Sequence, residues 1–327
     1  MLLADTPLEL FFKEVFLKLK LKSHFDLHLK MEGFSITGSV KAKSALYMIE
    51  RLEKQGILKK GSEIIESSSG NLGLALAMIS AVKGYSFTCI SDLNISPLTA
   101  QLIKSYGAKL IIVNQKDENG GFLGTRINLI RTMVKNNRNL VWVNQYENID
   151  NINAHYHMTG LEILKNFPSP DFLFIGAGTT GTLGGVSKLF REKSPKTKII
   201  AIDSIGSVTF GTSSGKRYIP GLGTSSPPPI SKFSSYDSLL MIPEIDTINM
   251  CHEMAKKGIL LGGSSGTVLC GVNEYAHMIP KNSTVVAISP DLGDRYMDTI
   301  YSQDWIYKNY QDTFNEKHEV INNYVNA

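Results

Sequence analysis

The chain has 327 residues, 43% hydrophobic and 20% charged, a balance that excludes disorder as the default and leaves room for two domains with substantial cores. Its formal net charge of +4 is small for this length, and no Lys/Arg run interleaved with aromatics occurs, so no nucleic-acid surface is expected. No stretch approaches the ~20 apolar residues of a membrane-spanning helix.

The N-terminal stretch MLLADTPLELFFKEVF is interrupted by Asp5, Glu9, Lys13 and Glu14 and lacks the charge, apolar core and small-residue order of a signal peptide. In SITGSVKAKSALYMIE a helix is expected to start near Ser39, which puts Lys41 in its first turn, where the helix dipole disfavours a cation. Either a neighbour compensates, or Lys41 is neutral and able to form a Schiff base, or it is one more solvated surface lysine. EII (63–65) then reads as a strand leading through ESSSGNLGLA into a helix that runs to Val82. In that loop Ser67, Ser68, Ser69 and Asn71 compete for a single N-cap, while Gly70 and Gly73 remove side chains that would keep a ligand from the backbone. Exposed N–H groups at a helix amino end favour a carboxylate or phosphate, so the loop is either a ligand grip or a cap.

The alternation continues. FTCIS (87–91) precedes a helix from near Pro97, KLIIVN (109–114) one across 122–135, and LVWVNQ (140–145) one across 154–166. FLFIG (172–176) enters GAGTTGTLGG and a helix across 181–190, and KIIAID (198–203) enters a loop-rich region. That region includes GTSSPPPISKFSS (223–235), expected to be a surface loop that could line a cleft. Helices over about 245–257 and 265–277 flank LLGGSSGT, and TVVAISPD (284–291) is the last strand. Continuous apolar runs between helices indicate strands buried on both faces of mostly parallel sheets, hence an α/β fold. The units fall into two batches, which predicts two domains with a cleft beyond the carboxyl ends of the strands.

Two further loops carry chemistry. Gly176, Gly178 and Gly181 spell GxGxxG, and Asp203 ends the next strand, the pattern of a dinucleotide site. Thr179, Thr180 and Thr182 add hydroxyls that suit a terminal phosphate monoester better than a bridging pyrophosphate. Ser264 or Ser265 in LLGGSSGT reads by default as the N-cap of the following helix. Cys89, Cys251 and Cys270 lack metal-ligand spacing and lie in apolar runs, so they read as core thiols of a reducing cytoplasm rather than ligands or disulfide partners. His155 and His157 cannot share a helix face, and His252 lacks the second histidine of HExxH, so no metal site is expected.

Taken together these segments resemble the fold-type II pyridoxal-phosphate enzymes of the cysteine synthase superfamily, whose β-subunit-like fold is shared with tryptophan synthase. KMEGFSITGSVKAK is similar to that family's K-x-E-x-x-N-P-x-G-S-x-K-D-R segment, SSSGNLG to its T-S-G-N-T-G loop, GAGTTGT to its G-x-G-T-G-G-T loop and LLGGSSG to its A-G-x-S-S-G segment. The four motifs stand in the family's order and cover nearly the whole chain, from Thr6 and Pro7 to GDRY at 293–296. The resemblance implies pyridoxal 5'-phosphate as cofactor, with Lys41 as its Schiff-base lysine, Asn71 beside the ring hydroxyl and Ser264 beside the pyridine nitrogen. It implies a phosphate cup of Gly178, Thr179, Thr180, Gly181 and Thr182. Ser68, Ser69, Gly70 and Gln145 match positions that hold the substrate carboxylate. It also implies a smaller mobile domain over 36–145, a larger cofactor-binding domain from 1–35 and 146–327, and a homodimer.

The resemblance implies β-elimination and replacement on an activated serine, with Lys41 as general base. A neutral Ser264 hydroxyl, unlike an aspartate, is not expected to hold the pyridine nitrogen protonated. Lys41-Ala42-Lys43 in place of K-D-R, Leu72 in place of the loop's second threonine, and the segments GGFLGTRI (120–127), NQYENIDN (144–151), GSVTFG (206–211) and PDLGDRY (290–296) resemble most the siderophore-pathway branch. Those are the N-(2-amino-2-carboxyethyl)-L-glutamate synthases, which join O-phospho-L-serine and L-glutamate on the way to 2,3-diaminopropionate. Arg126 and Tyr146 are the candidates for meeting the second substrate or the leaving phosphate. Gly178 fits the plain cysteine synthase pattern, which keeps sulfide as the alternative nucleophile. An NAD-dependent oxidoreductase and a non-enzymatic binding module are the remaining alternatives.

Overall fold

The computed structural model describes residues 5–11, 14–19, 24–118 and 120–316. After a 3-10 turn at Pro7–Phe11, the chain forms β1 (Phe16–Leu19) and β2 (Asp26–Met31), then α1 (Lys41–Lys54). Next come β3 (Glu63–Ser67), α2 (Asn71–Lys83), β4 (Ser86–Asp92), α3 (Pro97–Ser105), β5 (Lys109–Val113), α4 (Leu123–Asn136) and β6 (Leu140–Trp142). Strands β3 to β6 pair in parallel as a four-stranded sheet of order β5-β4-β3-β6.

The chain then returns through α5 (Asp150–His155), a π turn at Tyr156–Gly160 and α6 (Leu161–Asn166). It continues with β7 (Phe172–Gly176), α7 (Gly181–Lys193), β8 (Lys198–Ser204), β9 (Ser238–Ile242), α8 (Glu244–Lys256), α9 (Gly263–Tyr275), β10 (Thr284–Ser289) and α10 (Gln303–Glu316). These strands join the first two in a six-stranded sheet of order β1-β2-β10-β7-β8-β9. Only β1 runs antiparallel to its neighbour.

Apolar runs dictate this layering. FLFIG and TVVAIS are buried along nearly their whole length, so both faces of the large sheet need cover. One face packs with Val268, Leu269, Cys251 and Met254 of α8 and α9, the other with Leu183, Val186 and Phe190 of α7. In the small sheet, Ile64 and Cys89 face α1 and α2, whereas Ile65 and Ile90 face Ile130 of α4. Local signals set the ends: the Ser96 hydroxyl accepts from the Thr99 N–H with Pro97 at the first helical position, and Gly84 closes α2 at φ 74°. All three cysteines are free and buried.

Strands β1, β2 and β9 are not among the elements expected from sequence. In β2, DLHLKM carries Lys30 on a buried position, which hides its strand character. Lys30 is tolerated because it joins a buried four-charge cluster. Its Nζ lies 2.5 Å from Glu162 Oε2 and 3.2 Å from Glu32 Oε1, and Lys43 Nζ lies 2.9 Å from Glu32 Oε1 and 2.5 Å from Glu162 Oε2. Burial pushes Glu32 up, but Lys43 and Lys30 overrule it and hold its carboxyl at about 2. The helix expected across 154–166 starts earlier and is interrupted by the π turn. The stretch 223–235 is not wholly a surface loop: it contains a 3-10 turn, Pro229–Phe233, that buries Ile230.

Candidate active site

Four helix amino ends converge on one cavity at the carboxyl ends of β7 and β10. Lys41 is the first residue of α1, Asn71 of α2 and Gly181 of α7, and Ser264 is the second of α9. All four line the cavity, together with Gly178, Thr179, Thr180 and Thr182. Unpaired N–H groups and four positive dipole ends make this a site for an anion.

Lys41 is fixed by the chain just before it: the Val40 N–H donates to the Pro290 carbonyl at 2.8 Å, and Ser39 bridges to Asp291. Burial pushes its ammonium down to about 8, against the charge of Asp291, which opposes the shift. The end of α1 acts in the same direction as burial. The amine is thus available unprotonated at mildly alkaline pH.

The loop between β7 and α7 is shaped for close approach. Thr180, a β-branched residue, holds φ 68° at the start of α7, a strained conformation worth about 1–3 kcal/mol. Its Oγ1 is buried without a partner. A Cβ on Gly178 would stand 2.6 Å from the Gly221 carbonyl oxygen, and one on Gly181 would collide with the Asn151 carboxamide. A glycine cradle, an orphaned buried hydroxyl and a helix amino end together fit a phosphate monoester. Behind the loop, Asn151 Nδ2 donates to Thr179 Oγ1 at 3.1 Å, and Thr182 Oγ1 lies 3.3 Å from His155 Nε2. Burial, helped by Lys41, pushes His155 down to about 3, so its imidazole is neutral.

In the SSSGN loop the N-cap is Gly70, whose side-chain position opens on empty space. Ser68 caps from a distance, its Oγ accepting from Gly73 N at 2.9 Å and Gly70 N at 3.2 Å. The half-buried Ser69 stands next to it. Gln145 Nε2 donates to the Ser67 carbonyl at 2.9 Å. Under both lies Glu66, fully buried, accepting from Ser67 N at 2.7 Å and Gln145 N at 3.3 Å. Burial pushes its carboxyl up to about 7, partly offset by those N–H donors.

Arg126 and Tyr146 do not line the cavity. Arg126 is 7% exposed, with Nε 3.2 Å from Asp92 Oδ2 at the end of β4, and its guanidinium hydrogen-bonds Tyr146. Ser264 and Ser265 are not caps. α9 begins after Gly262, and the two hydroxyls donate to Asp291, Ser264 to Oδ1 at 3.2 Å and Ser265 to the carbonyl at 2.9 Å. Asp203 is fully buried and accepts from Ser204 N at 2.8 Å; burial pushes it up to about 6. It is not presented to a ribose.

The pyridoxal-phosphate dependent enzyme family matches residues 3–291. The chain belongs to that family. Within it, the chain is similar to a cysteine synthase from Entamoeba histolytica, with 31% identity, 91% of each chain covered and a TM-score of 0.83. It is also similar to a hydrogen sulfide-producing enzyme from Fusobacterium nucleatum, with 30% identity over 90% of this chain and 100% of that one, TM-score 0.84. An O-acetylserine dependent cystathionine beta-synthase from Helicobacter pylori gives 26% identity over 92% and 100%, TM-score 0.86.

This pyridoxal-phosphate enzyme therefore has the fold-type II architecture of the cysteine synthase family and the family's β-replacement or elimination chemistry. The dinucleotide reading of GxGxxG falls: the hydroxyl-rich loop and the buried Asp203 agree with the family rather than with NAD. The binding-module alternative falls with it. Sequence reasoning left four site residues unassigned: Asp291, Glu66, Asn151 and His155. Asp291 and Asn151 stood in the quoted PDLGDRY and NQYENIDN segments and Glu66 opens the ESSSGNLGLA loop, but none carried a sign of its part, and His155 was weighed only as a metal ligand.

Proposed function

We propose that the enzyme joins O-phospho-L-serine and L-glutamate into N-(2-amino-2-carboxyethyl)-L-glutamate and phosphate, on the route to 2,3-diaminopropionate and a siderophore. When bound at Lys41, pyridoxal phosphate supplies the electron sink. The Lys41 amine takes the proton from the substrate α-carbon and returns it. Ser69, Gly70 and neighbouring N–H groups of α2 hold the substrate carboxylate, with Ser68, Gln145 and Glu66 keeping that loop in shape. Thr179, Thr180 and Thr182 hold the cofactor's phosphate.

The observation that carries the choice of glutamate is Arg126. Asp92 holds its Nε side and Tyr146 its guanidinium, outside the cavity, so its fork would meet a second carboxylate or the leaving phosphate only once the smaller part closes. A cysteine synthase reaction with sulfide is the second reading, favoured by the likeness to the Entamoeba histolytica cysteine synthase. We infer further a homodimer, from the family resemblance, and a reducing cytoplasm, from the three free buried cysteines. The test offers O-phosphoserine with glutamate or with sulfide and identifies the product by mass. The glutamate adduct is expected, reduced about tenfold or more in Arg126→Ala through loss of a charge-assisted hydrogen bond. Cysteine as sole product refutes glutamate, and an unchanged Arg126→Ala rate refutes the role of Arg126.

A further inference from the structure

Asn151 is the second residue of α5, 1% exposed, and stands between two loops of the site. Its Nδ2 donates to the Gln145 carbonyl at 2.9 Å and to Thr179 Oγ1 at 3.1 Å. A backbone carbonyl can only accept, so the NH2 group must be the end of the carboxamide that faces both partners. Its two hydrogens are thereby used once each. The other end, Oδ1, is buried without a partner at the amino end of α7, in space that Gly181 leaves open by having no side chain.

The two acceptors belong to different parts of the site. Thr179 is 7% exposed and lies in the loop assigned to the cofactor's phosphate. An amide NH2 can only donate, so Thr179 Oγ1 accepts from it and keeps its own hydrogen for an acceptor on the cavity side, such as a phosphate oxygen. Gln145 leads the other way. Its Nε2 donates to the Ser67 carbonyl at 2.9 Å and its N–H to Glu66 Oε2 at 3.3 Å, and Glu66 accepts from Ser67 N at 2.7 Å. These contacts hold the start of the SSSGN loop, to which the substrate carboxylate is assigned. Every donor in the series is an N–H, so its direction does not depend on how a hydroxyl rotates. Contiguous hydrogen bonds between packed elements are a connection through which two sites can bias one another. We infer that Asn151 is a positioning residue that transmits the seating of the cofactor's phosphate to the loop that binds the substrate carboxylate. The inference rests on the Thr179 loop holding that phosphate.

The test is amide hydrogen exchange on holoenzyme, read over residues 66–73, in wild type, Asn151→Ala, Thr179→Val and Thr182→Val, with phosphorus-31 NMR of the cofactor as second readout. Thr182 is the control: it lines the same cup, but its Oγ1 lies 3.3 Å from His155 Nε2 rather than against Asn151. Thr179→Val is expected to move the phosphorus resonance and to speed exchange over 66–73 about tenfold, the loss of one hydrogen bond. Asn151→Ala should do the same, and Thr182→Val should move the resonance alone. A merely structural Asn151 would leave 66–73 untouched in Thr179→Val. Wild-type exchange over 66–73 in Thr179→Val or in Asn151→Ala overturns the proposal. Equal acceleration in Thr182→Val also overturns it, because a loosened cofactor is then the cause. The two threonine variants decide the matter even where Asn151→Ala does not fold. A phosphorus resonance unmoved in both of them overturns the phosphate cup itself, and the proposal with it.

Discussion

Glu66 illustrates how a single buried side chain couples the substrate loop to pH. Its carboxyl titrates at about 7 in the fold against the usual 4.5. A carboxyl raised in this way binds its proton more tightly in the folded state than in the unfolded one. Stability from this group is therefore full below pH 4.5, declines as pH rises to 7, and by then is lower by about 3 kcal/mol. Glu66→Gln has nothing to ionise, so the gap between the variant's melting temperature and the wild type's should widen in its favour from pH 4.5 to 7.5. Parallel pH profiles would contradict this. Neither Glu66 nor Asp291 was legible in the sequence as a site residue, because only the assembled strand ends bury them. Lys41 was legible: a cation at a helix's first position needs a reason. Ser264 was half legible. Its place in the third loop was plain, but the carboxylate that accepts its hydrogen bond lies 27 residues along the chain.

Elements whose apolar runs are continuous were read correctly from sequence, since a strand covered on both faces has no polar side to confuse the pattern. β3, β4, β7 and β8 are of that kind, whereas β5 and β6 were read from similar apolar runs although they lie half-buried at the two edges of the small sheet. β1 and β9 escaped because they are short and stand at the two edges of the large sheet, where half-buried side chains leave a weak pattern. β2 escaped for a different reason. Its Lys30 belongs with Lys43 of α1, Glu32 and Glu162 of α6 in the buried charge cluster that ties three elements together next to Lys41. Lys43→Met should cost about 3–5 kcal/mol, since it leaves two buried carboxylates sharing one lysine. Urea denaturation measures this. A midpoint equal to wild type would show that the cluster does not hold α1 in place.

Across the whole molecule, two sheets built from separate stretches of chain meet at a site that takes Asn71 from one and Gly178, Ser264 and Asp291 from the other. We propose that the smaller part, about 36–145, closes on the substrate carboxylate. Small-angle scattering of holoenzyme should show the radius of gyration falling when O-phosphoserine is added, and an unchanged value would remove the closure. The central claim is that four helix ends assemble a pyridoxal-phosphate site around Lys41. Borohydride reduction of the purified holoenzyme, followed by peptide mass mapping, tests it most directly. The account predicts the cofactor's mass fixed on the peptide containing Lys41 and no incorporation in Lys41→Ala. Label on any other lysine, or undiminished label in Lys41→Ala, would contradict it.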